Sequence, residues 1–327
     1  MPEKKKNLVV DLGNGVVKLK DSKGAYHTFL STTKAAANDF DDIEGHHDLT
    51  MIIDDIEVKY LIGDADGDYC RNRRRYSTID YKALLLTAIG VAFMEDKENI
   101  FDLTLGVNLP ITLYKDIKYI KQIRENCKGM HSFFVDGKKY VINIKDIISL
   151  PENLIASTLS KEDIMKKNLF IDIGSGTVDL LFSENGQLGN NVTDYSGIKD
   201  LEMDIAKKAG IQENQVHKYW ADMSDIVIGK KSRDVTRIKN TSVNRYVNNI
   251  ISLAENNNSG SIMDVSTVYV LGGGANIIGQ VIEEMLEDTN RVVIVDGATF
   301  ANLNCMETMF KQKLAIKKKK AKEAAKK

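Results

Sequence analysis

Residues 168–181 read NLFIDIGSGTVDLL, and residues 7–20 read NLVVDLGNGVVKLK. Written one over the other, 161 residues apart, they agree at seven of fourteen positions: Asn, Leu, Asp, Gly, Gly, Val and Leu. Each is an apolar run, an Asp, a Gly-x-Gly turn and a second apolar run, the pattern of two strands joined tightly. The glycines at 13 and 15, and at 174 and 176, let the backbone bend and approach a ligand with no Cβ in the way. Consecutive N–H groups in such a turn form a concave anion site. Asp11 or Asp172, at the end of the preceding strand, then sits beside that anion. An acid next to a bound phosphate needs a cation between them, directly or through water, and Mg²⁺ with its retained waters is the natural one.

The copies diverge where Lys18 of the first stands against Asp179 of the second. A lysine reaches a phosphate oxygen as a point charge. An aspartate favours a metal-bound water or a structural hydrogen bond. Two such hairpins can grip one polyphosphate from both sides. The bland alternative is two ordinary hairpins with glycine turns, and a matching Asp at half-chain spacing speaks against it. A third stretch, VYVLGGGANIIG (268–279), is strand, three glycines and helix, where bare backbone can take a phosphate or lie flat against a nucleotide. It lacks the acidic partner of a dinucleotide fingerprint. IGKKS (228–232) echoes a P-loop without the upstream glycine or strand and is discounted.

Composition frames these motifs. At 327 residues, a pair of domains is expected. Hydrophobic residues make up 43% and charged residues 28%, ordinary for a globular protein. Three widely spaced cysteines, Cys70, Cys127 and Cys305, suit a reducing compartment and exclude a disulfide framework. No apolar run is long enough for a membrane span, and the N-terminus lacks a signal-peptide core, so a cytoplasmic protein without membrane partners is expected. The tail 317–327 carries seven Lys and one Glu, +6, so the net charge of −1 leaves about −7 on the rest. That acidic body argues against a direct nucleic-acid face. The tail reads as a disordered end, and a docking arm is the sharper alternative. RNRRRY (71–76) reads as a surface loop or protein contact, and His46–His47 as solvated.

Along the chain, 25–31, 49–53 and 57–62 are β-prone; 81–94 is a buried helix; 102–110 a strand; 112–127 an amphipathic helix. A hairpin turns at Asp136–Gly137 in 132–144, and LPENLIAS (150–157) starts a helix at Pro151. A helix follows at about 197–209, and 211–262 read as mainly helical, most clearly at 241–257; then come the strand–glycine–helix unit, a strand at 291–295 and a last helix at about 298–316. Strands and helix, a repeat of that plan, then strand–glycine–helix describe an α/β protein of two related halves.

In this order the motifs resemble the actin-like ATPase superfamily of actin, sugar kinases, heat-shock chaperones and bacterial actins. Within it the chain is most similar to the ParM-type plasmid-segregation actins, through LGVNLPITLYKD (105–116), LPENLIAS before the second motif, and GATFANLNCMETM (297–309). The resemblance implies an actin-like fold: two related domains, each with a mixed β-sheet and flanking helices, and a nucleotide in the interdomain cleft. The first domain would be 1–158, with a smaller insert at about 33–76, completed by the helix 298–316. The second would be 159–297, with a smaller subdomain at about 196–263. Asp11, Gly13, Asn14, Gly15 and Lys18 match the first phosphate motif. Asp172, Gly174, Ser175, Gly176, Thr177 and Asp179 match the second, and Gly272, Gly273 and Gly274 the adenosine motif. Glu152 matches the acid that orients or deprotonates the attacking water; its bland alternative is a helix N-terminal acid complementing the dipole. Glu152 and Asp172 are the catalytic candidates, and Asp11 and Asp172 the Mg²⁺ candidates through water. The cofactors implied are ATP/ADP and Mg²⁺. The partners implied are further copies in a head-to-tail filament and a DNA-binding adaptor. Asn14 departs from the family's usual Ser or Thr. A small-molecule kinase, or a chaperone-like or shape-determining relative, would share the same site.

Overall fold

The structure, a computed structural model, describes residues 4–36, 46–53, 56–64, 67–70, 74–152, 159–224, 226–228, 231–258 and 261–324. The chain packs as two compact units, residues 1–154 with 302–327, and residues 155–301.

Unit 1 opens with a meander of β1 (Lys5–Leu12), β2 (Val16–Lys20) and β3 (Tyr26–Leu30). The short strands β4 (Thr32–Ala35), β5 (His47–Ile53), β6 (Ile56–Ile62) and β7 (Asp68–Tyr69) follow. Helix α1 (Ile79–Ala92) is buried almost all round, so it needs no polar face. Thr78 caps its start by accepting from the Tyr81 N–H. Next come β8 (Ile100–Leu109), α2 (Ile111–Tyr114) and α3 (Ile117–Cys127). The expected helix 112–127 is therefore broken: Asp116 leaves the helical region and caps α3 through the Lys118 N–H, an Asx arrangement that competes with a continuous helix. β9 (Gly129–Val135) and β10 (Lys138–Pro151) form the expected hairpin, with Asp136 and Gly137 at φ 48° and 77°.

The unit 1 sheet has the order β3-β2-β1-β8-β10-β9-β5-β6-β4-β7. β1, β8 and β10 run parallel at its heart, and read as near-continuous apolar runs because both faces are covered. The segment expected as a smaller insert hydrogen-bonds into this sheet, β5 pairing with β9.

Unit 2 carries α4 (Lys161–Ile164), then the strands β11 (Asn168–Ile173), β12 (Val178–Glu184) and β13 (Gln187–Asp194). α5 (Ile198–Ala209), α6 (Glu213–Lys218), the ribbon β14 (Ile226–Ile228) and β15 (Lys231–Arg233), and α7 (Thr236–Asn257) follow. β16 (Thr267–Leu271), α8 (Ala275–Leu286) and β17 (Arg291–Ile294) complete it. Its sheet order is β13-β12-β11-β16-β17. β11 is antiparallel to β12 and parallel to β16, and β16 is parallel to β17. Strands β3-β2-β1-β8-β10 of unit 1 show the same order and directions. The repeat read in fourteen residues is thus a repeat of five strands.

The last helix, α9 (Ala301–Ala324), lies against β8 of unit 1 where that strand has Gly106; a Cβ there would meet Phe310 at 2.8 Å. It corrects the disordered tail: residues 317–324 continue as helix, and 325–327 lie outside the described residues. Lys and Ala are good helix formers, and the helix is tied down by Lys313 Nζ, which donates to Tyr114 Oη at 2.8 Å and Ser149 O at 3.0 Å, and by Lys317 bonded to Asp146.

All three cysteines are buried free thiols of unit 1. Burial raises each thiol's pKa, Cys127 to about 12 and Cys305 to about 11. Unit 2 holds the single tryptophan, Trp220, with Lys239 Nζ 4.9 Å from its ring centroid. Among the described residues no helix is long and apolar enough to cross a membrane.

Candidate nucleotide site

The first hairpin turns at Gly13–Gly15. A Cβ at Gly13 would meet Val16 O at 2.7 Å, so glycine is obligatory there. Asp11 is 4% exposed and sits directly across the strand pair from Lys18, whose Nζ lies 3.5 Å from Asp11 Oδ2. Three groups hold the turn. Ser31, at the end of β3, donates its hydroxyl to Gly13 O at 2.7 Å and its N–H to Gly15 O at 2.9 Å. Asn108, on β8, accepts from the Leu12 N–H at 2.7 Å. Arg75 donates to Leu12 O, to Asn14 Oδ1 at 2.6 Å and, at 3.4 Å, to Gly13 O.

Asn108 also places Glu152. Its Oδ1 is fixed towards the Leu12 N–H, so its Nδ2 faces Glu152 Oε1 and donates to it. The Glu152 N–H in turn donates to Leu109 O at 2.9 Å. The expectation of a helix beginning at Pro151 is corrected on the described residues: Pro151 is the last residue of β10 and Glu152 is a bend, while 153–158 lie outside them. Proline is tolerated at the end of a strand, where its missing N–H costs no ladder bond. Glu152 is therefore tied to the first hairpin through one amide.

The second hairpin is built the same way with different charges. Asp172 and Asp179 are cross-strand partners, 7% and 5% exposed. Burial, and then the Asp172 charge, push the Asp179 carboxyl up to about 7. Thr193 on β13 donates to Asp179 Oδ1 at 2.5 Å. The turn closes with Gly174 N–H donating to Thr177 O at 2.8 Å. The start of α5 reaches back to it: the N–H groups of Ile198 and Lys199 donate to the carbonyls of Gly174 and Ser175 at 3.1 and 3.0 Å. Gly197 permits this, since a Cβ there would overlap the backbone of Ser175 and Gly176.

The third glycine stretch lies on the second hairpin. Gly272 has φ 85°, and a Cβ on it would collide with Asp172 Oδ1 and Ile173 O. The Gly274 N–H donates to Ile173 O at 2.8 Å, and a Cβ there would overlap Ile173 and Ile198. Around Gly273 there is open space. Asp172, Gly174–Thr177, Asp179 and Gly272–Gly274 are thus one site of unit 2. Asp11, Gly13–Gly15, Lys18 and Glu152 are one site of unit 1.

Several residues here escaped the sequence. Asn108 stood in a quoted stretch but carried no pattern. Ser31, Thr193 and Gly197 come from neighbouring strands and a helix start. Arg75 corrects the reading of 71–76 as surface: it is 4% exposed and Tyr76 5%, while 71–73 lie outside the described residues. Among the described residues no three His, Cys, Asp or Glu side chains converge on a metal. Two buried carboxylates beside bare backbone fit Mg²⁺ held largely by water and phosphate oxygens rather than by a protein cage.

Duplicated five-strand sheets, each with an Asp-ended strand and a glycine turn, define the class: this is an actin-like fold. Residues 10–154 match the N-terminal domain of actin-like proteins, and the chain has the actin-like fold. Among solved structures it is similar to the actin-like protein Alp7A, at 18% identity over 97% of this chain and 99% of that one, with a TM-score of 0.76. An archaeal actin homologue, Ta0583, in complex with ADP gives 19% identity, 94% and 99% coverage and a TM-score of 0.72. A 15-stranded ParM filament from Clostridium botulinum gives 16% identity, 94% and 99% coverage and 0.74. No curated protein matches the sequence significantly.

Proposed function

We propose that this chain binds and hydrolyses ATP with Mg²⁺ in the cytoplasm. It polymerises head to tail into dynamic filaments, and these segregate plasmid DNA through a DNA-binding adaptor. The observation that carries the reading is the doubled Asp–glycine-turn hairpin, Asp11 with Gly13–Gly15 and Asp172 with Gly174–Gly176, the latter backed by bare Gly272–Gly274. The relatives include a filament and an ADP complex.

On this reading each of the two hairpins is built to hold phosphate oxygens of ATP. Backbone N–H groups of the two turns and Lys18 take phosphate oxygens; Asp11 and Asp172 would hold the water shell of Mg²⁺, which neutralises phosphate charge. Glu152, oriented by Asn108, receives the proton of the attacking water. Phosphoryl transfer needs mainly positioning and charge neutralisation. Loss of the γ-phosphate, which orders the turns that hold it, would then switch assembly off, and a non-closing head-to-tail contact makes a filament.

The test is light scattering with phosphate release on the purified chain after adding Mg·ATP. A rise in scattering, then phosphate release and decay, is expected. Phosphate release without scattering at any concentration would point to a monomeric ATPase or to a kinase awaiting its acceptor. Absence of both would sink the nucleotide reading.

A further inference from the structure

Arg75 is a cation where the fold can least accommodate one. Its side chain is buried, between Tyr76 and Tyr81, each ring centroid 5.5 Å from Cζ. Its acceptors are all neutral: the carbonyls of Leu12, Gly13 and Cys70, and Asn14 Oδ1. Nε is buried with no hydrogen-bond partner. Among the described residues no carboxylate stands within ion-pair distance of it; Asp11, the nearest acid of the motif in sequence, is paired with Lys18. A buried charge of this kind is costly unless something opposite compensates it.

Its contacts say what that something is. A trans peptide sets C=O and N–H on opposite sides, and the chain has no cis peptide. Arg75 holds the carbonyls of Leu12 and Gly13 on one face of the turn, joined by Ser31 on Gly13. The N–H groups sharing those peptides, of Gly13 and Asn14, are thereby turned to the other face, a pair of donors of the kind that takes an anion. With Lys18 offset by Asp11, Arg75 supplies the uncompensated positive charge under that pair.

We propose that Arg75 is a positioning residue of the first phosphate turn. It presets the Gly13 and Asn14 N–H groups for a polyphosphate, whose charge compensates the buried guanidinium. This rests on the nucleotide reading above. It adds that the arginine, reaching the turn from outside the motif, sets the preference for triphosphate over monophosphate, and that Asn14 stands where it does as an acceptor for Arg75.

The experiment is calorimetric titration of Mg·ATP and of AMP, which lacks the β- and γ-phosphates, into wild type, Arg75→Lys and Asn14→Ala, with a melt of each protein without nucleotide. Lysine keeps the charge and loses the planar fork. Asn14→Ala removes one acceptor and leaves the arginine in place. Arg75→Lys is expected to lower ATP affinity about tenfold and Asn14→Ala several-fold, each a lost charge-assisted bond, with AMP affinity moved less than about twofold. A merely structural arginine would shift the melts and leave the ATP-to-AMP ratio where it was; that result in both variants overturns the proposal and spares the nucleotide reading. Wild type that binds no ATP overturns both. If Arg75→Lys does not fold, the ratio in Asn14→Ala decides alone.

Discussion

The two hairpins share a backbone plan and differ in charge. In the first, Asp11 faces a lysine; in the second, Asp172 faces another acid. One pair is neutral as it stands, the other neutral only with two protons or a divalent cation. An opposite-charge pair directly across two strands stabilises its hairpin, and a like-charge pair destabilises it. The Asp11–Lys18 pair is thus balanced by itself, while Arg75 beside it adds a positive charge that only neutral acceptors meet. The second keeps an excess of negative charge in a buried place, held by Thr193 and overlaid by glycine backbone. A duplicated fold has here divided its labour: the first copy sets cations beside its strand-end acid, and the second sets a further acid there.

The comparison can be broken or sharpened by mutation. The largest effect is expected at the carboxylate tied to the first hairpin through Asn108. Glu152→Ala should lower phosphate release by about 10²- to 10⁴-fold and leave ATP affinity within a few-fold of wild type; unchanged turnover would remove Glu152 from the chemistry. Asp172→Ala should weaken Mg·ATP binding about tenfold or more, the scale of a charged contact, measured by titration with and without Mg²⁺. Equal affinities in the variant and wild type would undo the anionic role of the second hairpin. Lys18→Asp makes the first hairpin charged like the second, and should cost several-fold in ATP affinity through the lost point charge. Binding at wild-type strength would show that Lys18 serves only Asp11.

The pH dependence belongs to the second hairpin. Asp179 holds its proton more tightly folded than unfolded. Its contribution is fully present below the ordinary carboxylate range and is lost as pH rises through about 7. The melting temperature of wild type should therefore fall between about pH 4 and 7 more steeply than that of Asp179→Asn. Parallel curves would mean that Asp179 titrates normally. Smallest is Thr193→Ala, which removes the donor to Asp179 Oδ1 and should cost about 1 kcal/mol by denaturant melts; no loss would mean that another group takes its place.

Where the sequence was legible, the signal was local. Asp, Gly-x-Gly and the flanking apolar runs are contiguous, so both hairpins and the fold class could be read from them. Asn108, Ser31, Thr193 and Arg75 were not, because each acts on a residue brought near only by sheet pairing or by the loop before α1. Arg75 is 61 residues from Asn14, and a run of basic residues reads as solvated until a fold buries one of them. Lys and Ala at the end of the chain read as a loose tail by charge. Helix propensity and the anchor of Lys313 on Tyr114 and Ser149 carry them on as α9 instead.

The distribution of rare side chains between the units has an experimental use. Every thiol lies in residues 1–154 or 302–327, and the only indole lies in 155–301. A thiol reagent therefore reports when the first unit opens and is blind to the second, while indole fluorescence reports the second and is blind to the first. Without labels or engineered residues, the protein carries two orthogonal clocks. Run side by side in a denaturant series, they would tell whether the duplicated halves come apart together or one at a time.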